Sequence, residues 1–195
     1  PTSQARGMEV FAVGMDVSQV IVDDYIKSFF MVEHLIRNGR RHIVHLQGPS
    51  YIHNSMERVK GYKDALEKFR IPYDTSLLIK TGVTIEAGRQ AAEQLLNTET
   101  QFDSIFAFTD TQAIGAMNYL RGQGIKIPQD VAIASFSGTI LSTIVYPQLT
   151  TVEQPLIEMG EKAAELIYEK INNPDAPNRT IVLNAEIKLR ASTEV

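Results

Sequence analysis

A chain of 195 residues, 44% hydrophobic and 22% charged, is long enough to bury a sizeable core and is ordinary for a globular protein. It has no cysteine, which excludes disulfides and thiolate metal sites, and no apolar run approaches the ~20 residues that cross a bilayer. Nineteen Lys and Arg against 23 Asp and Glu give a formal charge of −4, so this stretch lacks the cationic surface that drives duplex DNA binding.

Residues 1–18 show no strong period; Val10-Phe-Ala-Val13 is a candidate strand, and Pro1-Thr-Ser-Gln-Ala-Arg-Gly-Met lacks the apolar core of a signal peptide. Val20-Ile-Val22 reads as a short buried strand. Helical periodicity follows from Asp23 to Asn38, with Tyr25, Phe29, Val32 and Ile36 on one face, Asp23 or Asp24 as cap and Gly39 as stop. Ile43-Val-His-Leu46 is the next strand, then a helix over Asn54–Phe69 with Val59, Tyr62, Leu66 and Phe69 inward. Leu77-Leu-Ile79 precedes a helix over Thr84–Asn97 carrying Ile85, Gly88, Ala92 and Leu95. Ile105-Phe-Ala-Phe108 precedes a helix over Asp110–Gly122 with Ile114, Met117 and Leu120. Val131-Ala-Ile-Ala134 is a fifth strand, and Pro155 opens a helix that runs to Ile171. Asn172–Asn178 is a loop, and Thr180–Leu189 reads as a closing strand or strand pair.

The strands are continuously apolar rather than alternating, which signals burial on both faces of a parallel sheet. Their alternation with helices predicts a doubly wound α/β fold with right-handed crossovers. In such sheets ligands bind beyond the carboxyl ends of the strands. Four loops then share one edge: Gln47–Ser55, Lys80–Thr84, Thr109–Asp110 and Ser135–Gly138. One cleft is implied, with Asn54, Arg58, Val83, Thr109, Asp110 and Ser137 as candidate contacts.

Arg58 has two readings on the residues alone. Its planar guanidinium can hold hydroxyls, carboxylates or phosphates through paired hydrogen bonds, or it is an exposed helix arginine pairing with Glu57 or Asp64. Asp110 can cap its helix through the Gln112 or Ala113 N–H, or face the cleft; capping is the stronger reading, with Thr109 as the ligand contact. His42 and His45 fall on opposite strand faces and cannot share a metal, and His34 and His53 are isolated. No Gly-x-Ser-x-Gly elbow or acid/base pair converges, Gly122-Gln-Gly124 lacks the rest of a dinucleotide fingerprint, and Asn178-Arg-Thr180 is a coincidental sequon. Neither enzyme, cofactor nor metal site is expected.

The stretch Phe106-Ala-Phe-Thr109-Asp110-Thr-Gln-Ala113-Ile-Gly115-Ala-Met117, then Ile127-Pro-Gln-Asp130-Val-Ala-Ile-Ala-Ser-Phe136-Ser137, then Pro147-Gln-Leu-Thr150-Thr151-Val-Glu-Gln154-Pro155, carries the strongest family signal. With Val32-Glu-His34-Leu35-Ile36, Gly48-Pro49 and Arg58-Val-Lys-Gly61-Tyr62, its order and spacing resemble the effector-binding domain of the lactose-repressor (LacI/GalR-type) family of bacterial transcription regulators. The resemblance implies a periplasmic-binding-protein-like type I fold, with one subdomain nearly complete over residues 23–152. Residues 1–22 would be the tail of the other, largely missing subdomain. The helix of 153–179 would return to it, and 180–195 would close the fold. It further implies a cytoplasmic, non-enzymatic sensor that binds a small molecule through Arg58 and controls operator DNA through a headpiece absent from this chain. A homodimer is implied too, with Ile144, Val145 and Tyr146 as interface and Ile114 and Met117 either joining it or packing in the core.

Ser137 stands where the family often has an Asp for sugar hydroxyls, and Val83 where many members have a stacking aromatic ring. Because Arg58 then faces no matched carboxylate, an anionic effector is one expectation. A solute-binding protein of a sugar transporter shares the fold and is the alternative.

Overall fold

A computed structural model of the protein describes residues 17–98 and 100–194, so the candidate strand at Val10–Val13 lies outside the described residues. The element order is β1 (Gln19–Val22), α1 (Asp24–Arg37), β2 (Ile43–Gln47), α2 (His53–Lys68), a 3-10 turn (Thr75–Leu77), β3 (Leu78–Lys80), α3 (Ile85–Asn97), β4 (Ser104–Ala107) and α4 (Asp110–Gly122). It continues with β5 (Ala132–Ser137), a single turn α5 (Leu141–Ile144), β6 (Thr150–Glu153), α6 (Leu156–Asn172), β7 (Thr180–Leu183) and β8 (Glu186–Lys188).

Six strands form one sheet in the order β3-β2-β4-β5-β6-β8, parallel throughout except for β8, which runs antiparallel to β6. Strands β1 and β7 pair in parallel as a separate two-stranded sheet. The closing segment therefore divides: Thr180–Leu183 belongs to the small sheet and Glu186–Lys188 to the large one. The sequence marks β6 only as a crossover, because Thr150-Thr151 is not apolar. Both threonines are nevertheless buried, their hydroxyls paired with Arg190 O at 2.9 Å and with Asp110 Oδ1 at 2.7 Å. A buried polar group whose partner is supplied costs little.

Alternation along the strands builds two cores. Val44 and Leu46 of β2, with Ile105, Ala107 and Ile133, face α3 and α4. Ile43, Phe106, Ala134 and Phe136 face α1 and α2. Ile114 and Met117 of α4 lie inside the first of these, Met117 wholly so. Of their two readings, this burial supports the core. Ile144 and Tyr146, by contrast, are 69% and 78% exposed.

His45 is the one histidine in the second core, stacked between Tyr62 and Phe106 at centroid distances of 5.3 and 4.9 Å. Its Nδ1 lies 2.8 Å from Phe106 O, a group that only accepts, so Nδ1 carries the proton and Nε2 is bare and unpartnered. Protonating Nε2 would bury a cation with no acceptor near Arg58, and burial accordingly pushes the imidazole down to about 4. The unfolded chain takes up this proton near pH 6.5 and the folded one only near 4, so stability falls as pH drops through that window. Between pH 7 and 5 the loss is about 2 kcal/mol. Urea denaturation of the wild type and His45→Met at both pH values checks it, the variant losing this part of the pH dependence.

Helix α6 packs on β1, yet of its apolar residues only Leu166 is fully buried. Ile157, Ile167, Tyr168 and Ile171 stand in water together with Val182 of β7. An exposed apolar face of this extent marks a candidate interaction surface.

Candidate functional site

Parallel pairing of β2, β3, β4 and β5 sends the loops that follow them to one edge of the sheet. The motif Arg58-x-x-Gly61-Tyr62 occupies one face of α2, because positions i, i+3 and i+4 are neighbours on a helix. Gly61 lets α1 approach so closely that an added Cβ would lie 2.4 Å from Tyr25 O. Tyr62 is buried and donates its hydroxyl to Ile43 O at 2.8 Å.

One turn earlier, Arg58 is only 2% exposed. Its Nε and Nη2 reach Asp24 Oδ1 at 2.8 and 2.7 Å, and Nη1 donates to Phe108 O at 2.6 Å. The guanidinium carbon lies 3.6 Å from the Phe136 ring centroid and 4.3 Å from that of Phe108. Its partner is thus neither Glu57 nor Asp64; Asp64 accepts instead from Tyr25. Adjacent Asp23 and Asp24 divide two tasks. Asp23 caps α1 through the Ile26 N–H at 2.8 Å, and Asp24 turns inward to the arginine. Burial holds the Asp24 carboxyl above its usual range, against the opposing pull of Arg58. The expectation of an anionic effector rests on an unmatched Arg58, and Asp24 removes that basis.

At the start of α4, Thr109 rather than Asp110 is the cap. Its hydroxyl accepts from Gln112 N at 3.3 Å while Gln112 Oε1 accepts from Thr109 N at 3.0 Å, a reciprocal capping box. Val83 O receives the hydroxyls of Thr109 and Thr111 at 3.4 and 2.5 Å, which brings Val83 and Thr109 together at adjoining loop ends. Asp110 is 1% exposed, and its carboxylate accepts from Ser135, Thr139 and Thr151, so no oxygen is left to face a ligand. Ser137 is half-buried at φ 136°, a backbone conformation that strongly favours glycine. Its hydroxyl has no hydrogen-bond partner among the described residues.

A cavity of about 650 Å³ lies where the two sheets meet. Its walls are β1, the first turns of α1 and α2, and the α6 residues Met159, Gly160 and Ala163. Of the six expected contacts, Asn54 lines it, and the Asn54 Oδ1 is buried without a partner. Asp23, Asp24, His53, Glu57 and Gln154 also line it, and none of its lining residues is a lysine or arginine. None of these five is among the contacts expected from the sequence. Asp23, Asp24 and Gln154 sit just past β1 and β6, where two of the three chain crossings between the sheets begin. The polar threonines that conceal β6 conceal the second of these places with it. Among the described residues no group of three or more His, Asp or Glu is placed to hold a metal ion, and no helix is long and apolar enough to cross a membrane.

A parallel sheet whose loops gather at its carboxyl edge, three chain crossings between two sheets and a cavity where the sheets meet are the features of an α/β fold that binds small molecules. The model of the periplasmic binding protein-like domain matches residues 32–193. The chain is 34% identical over 179 residues to the HTH-type transcriptional regulator DegA of Bacillus subtilis, covering 92% of this chain and 52% of that protein. Among solved structures, the complex of the transcriptional regulator CelR with cellobiose superposes with a TM-score of 0.88 at 28% identity, covering 93% of this chain and 57% of the other. A LacI family regulator from Enterococcus faecium with bound ribose gives 0.83 at 28% identity, covering 90% and 65%. The chain belongs to the periplasmic binding protein-like domain family, and its relatives here are LacI-family transcription regulators. It spans about half the length of the curated relatives that it matches.

Proposed function

We propose that this chain is the effector-sensing part of a cytoplasmic, homodimeric transcription regulator, and that its effector is a neutral, hydroxyl-bearing small molecule of the sugar class. The observation that carries this reading is the cavity beside two of the three chain crossings. A molecule seated there touches Asp24 at the first crossing and Gln154 at the second, so it is sensitive to the relative placement of the two sheets. Ligand that prefers one placement shifts the equilibrium toward it, with coupling of typically about 1–3 kcal/mol to a distant DNA-binding headpiece.

The wall favours hydroxyl donors: three carboxylates, an asparagine oxygen and a glutamine line it, while the nearby arginine is neutralised within the chain. Anions meet like charge there. Cellobiose and ribose bound to the two structural neighbours are consistent with this chemistry. Residues 23–152, with β8, then form one lobe, and β1, β7 and α6 belong to the second, whose remaining elements would cover the apolar face of α6. Exposed Ile140, Ile144 and Tyr146 supply the dimer contact. An export-linked solute-binding protein is the weaker reading, since the matched relatives regulate transcription.

Thermal unfolding of the full-length regulator with a panel of neutral mono- and disaccharides and their phosphates tests the proposal. A neutral sugar at roughly 100 times its Kd adds about 2.7 kcal/mol and raises Tm by several degrees. Stabilisation by the phosphorylated sugars alone would overturn the effector class. Light scattering on the same sample reads the dimer.

A further inference from the structure

We propose that Asp110 is a positioning residue that fixes the Ser137–Thr139 turn at the cleft edge and fastens that turn to the second chain crossing. Placing the turn at a cleft that binds ligand rests on the function proposed above; the fastening itself rests on geometry alone.

Asp110 is buried at the start of α4, and its carboxylate gathers donors from three places. Oδ1 accepts from Ser135 Oγ of β5 and from Thr151 Oγ1 of β6, both at 2.7 Å. Oδ2 accepts from Thr139 N at 2.6 Å and Thr139 Oγ1 at 2.8 Å. Thr151 Oγ1, held in this way, accepts in turn from Gly138 N at 3.2 Å. The turn is pressed from its other side as well: a Cβ at Gly138 would lie 2.3 Å from Glu153 Cα. Ser137, between the anchored Phe136 and the anchored Gly138, adopts φ 136°. An unfavourable backbone conformation persists only where its surroundings over-determine it, and the Asp110 carboxylate, with the β5–β6 pairing, supplies that determination.

The second link runs outward. Ser137 O accepts from Gln154 N at 3.3 Å, and Ser137 pairs with Glu153 in the β5–β6 register. Gln154 is the crossing residue that lines the cavity, and α6 begins two residues later. Asp110, Thr151, the Ser137–Thr139 turn and Gln154 therefore form one connected series from the base of α4 to the segment that carries the small sheet, although Asp110 bonds neither Ser137 nor Gln154 and does not line the cavity.

Amide hydrogen exchange on the 195-residue chain, comparing wild type with Asp110→Asn, tests this. The asparagine is nearly isosteric, but its amide nitrogen turns N–H groups toward donors that the carboxylate oxygen accepts. Exchange is expected to quicken about 10- to 100-fold at Gly138, Thr139 and Gln154, with Phe106 and Ile133 unchanged. Acceleration at Thr139 with Gln154 unmoved would reduce Asp110 to a local hydrogen-bond acceptor and overturn the proposal. Equal acceleration throughout the large sheet would make it a general stability residue, with the same consequence. If Asp110→Asn does not fold, Thr151→Val removes the shared hydroxyl and is expected to quicken Gly138 and Gln154, with the same contrary outcomes. No ligand enters the experiment, so failure of sugar binding would defeat the functional reading and leave this result standing.

Discussion

Replacing Arg58 by Met is expected to destabilise the protein by about 3–5 kcal/mol, and Asp24→Leu by a similar amount, while the double variant loses less than either alone. The pair is buried, with Arg58 at 2% exposure, so each single change strands an uncompensated charge in a low-dielectric site. Removing both removes the stranded charge, and only the unpaired Phe108 carbonyl and the altered packing remain. The two singles differ in their pH response. With Arg58 absent, Asp24 is left to burial alone, which raises its folded pKa further above the unfolded value. A raised carboxylic acid is stabilising in its protonated form, so Arg58→Met recovers stability as pH falls from about 8 toward 5. Asp24→Leu recovers none, because an arginine cannot shed its proton there. The His45 loss is smaller once the Arg58 charge beside it is gone, so the comparison is made in a His45→Met background, which isolates Asp24. Urea denaturation of the four proteins at both ends of that pH range reads the cycle. Strictly additive losses, or equal pH response in the two singles, would show the pair to be energetically unlinked.

Much of this is open to sequence reasoning. The five long helices appear within a residue or so at each end, because period, cap and stop agree: Thr84 and Gly39 mark their boundaries as capping chemistry requires. The order of strands, loops and helices gives the α/β class, and motif residues such as Arg58-Val-Lys-Gly61-Tyr62 carry the resemblance to the family. What escapes such reading shares a physical cause. Strand β6 is apolar only at Val152, and its polar threonines are satisfied by residues 40 and 41 positions away, which no local period reports. Asp23 and Asp24 look alike in the sequence, and Arg58, on a helix 34 residues downstream, decides which of them caps and which pairs. Asp110 carries the familiar signature of a cap, but Thr109 before it takes that role and leaves the carboxylate to organise three other segments. Met117 illustrates the opposite limit. A helix apolar around much of its girth does not announce which face meets its own core, and the sheet settles the matter.

Gly115→Ala is expected to cost at least about 3 kcal/mol, despite the roughly 1 kcal/mol that alanine gains over glycine in a helix interior. The added methyl would lie 1.9 Å from Ile85 O and 2.9 Å from Arg89 N. The contact is reciprocal, since a Cβ at Gly88 would lie 2.0 Å from Gln112 O. Helices α3 and α4 thus touch backbone to backbone, and no side chain can rotate away to make room. Only separation of the helices relieves the clash, and that movement carries further consequences. Gln112 Nε2 donates to Gly82 O at 2.7 Å and the Thr109 and Thr111 hydroxyls reach Val83 O, so parting α3 from α4 also parts the loops at the carboxyl ends of β3 and β4. Gly160 supplies the contrast within the same chain. It lies inside α6, and a methyl group added there would meet nothing within 4 Å, so Gly160→Ala is expected to stabilise by about 0.5–1 kcal/mol. Urea denaturation midpoints of the two variants should move in opposite directions. If Gly115→Ala proved neutral, the α3–α4 contact would have to yield by roughly 1 Å or more without loss, and the rigid coupling of the two cleft loops argued from it would fall as well.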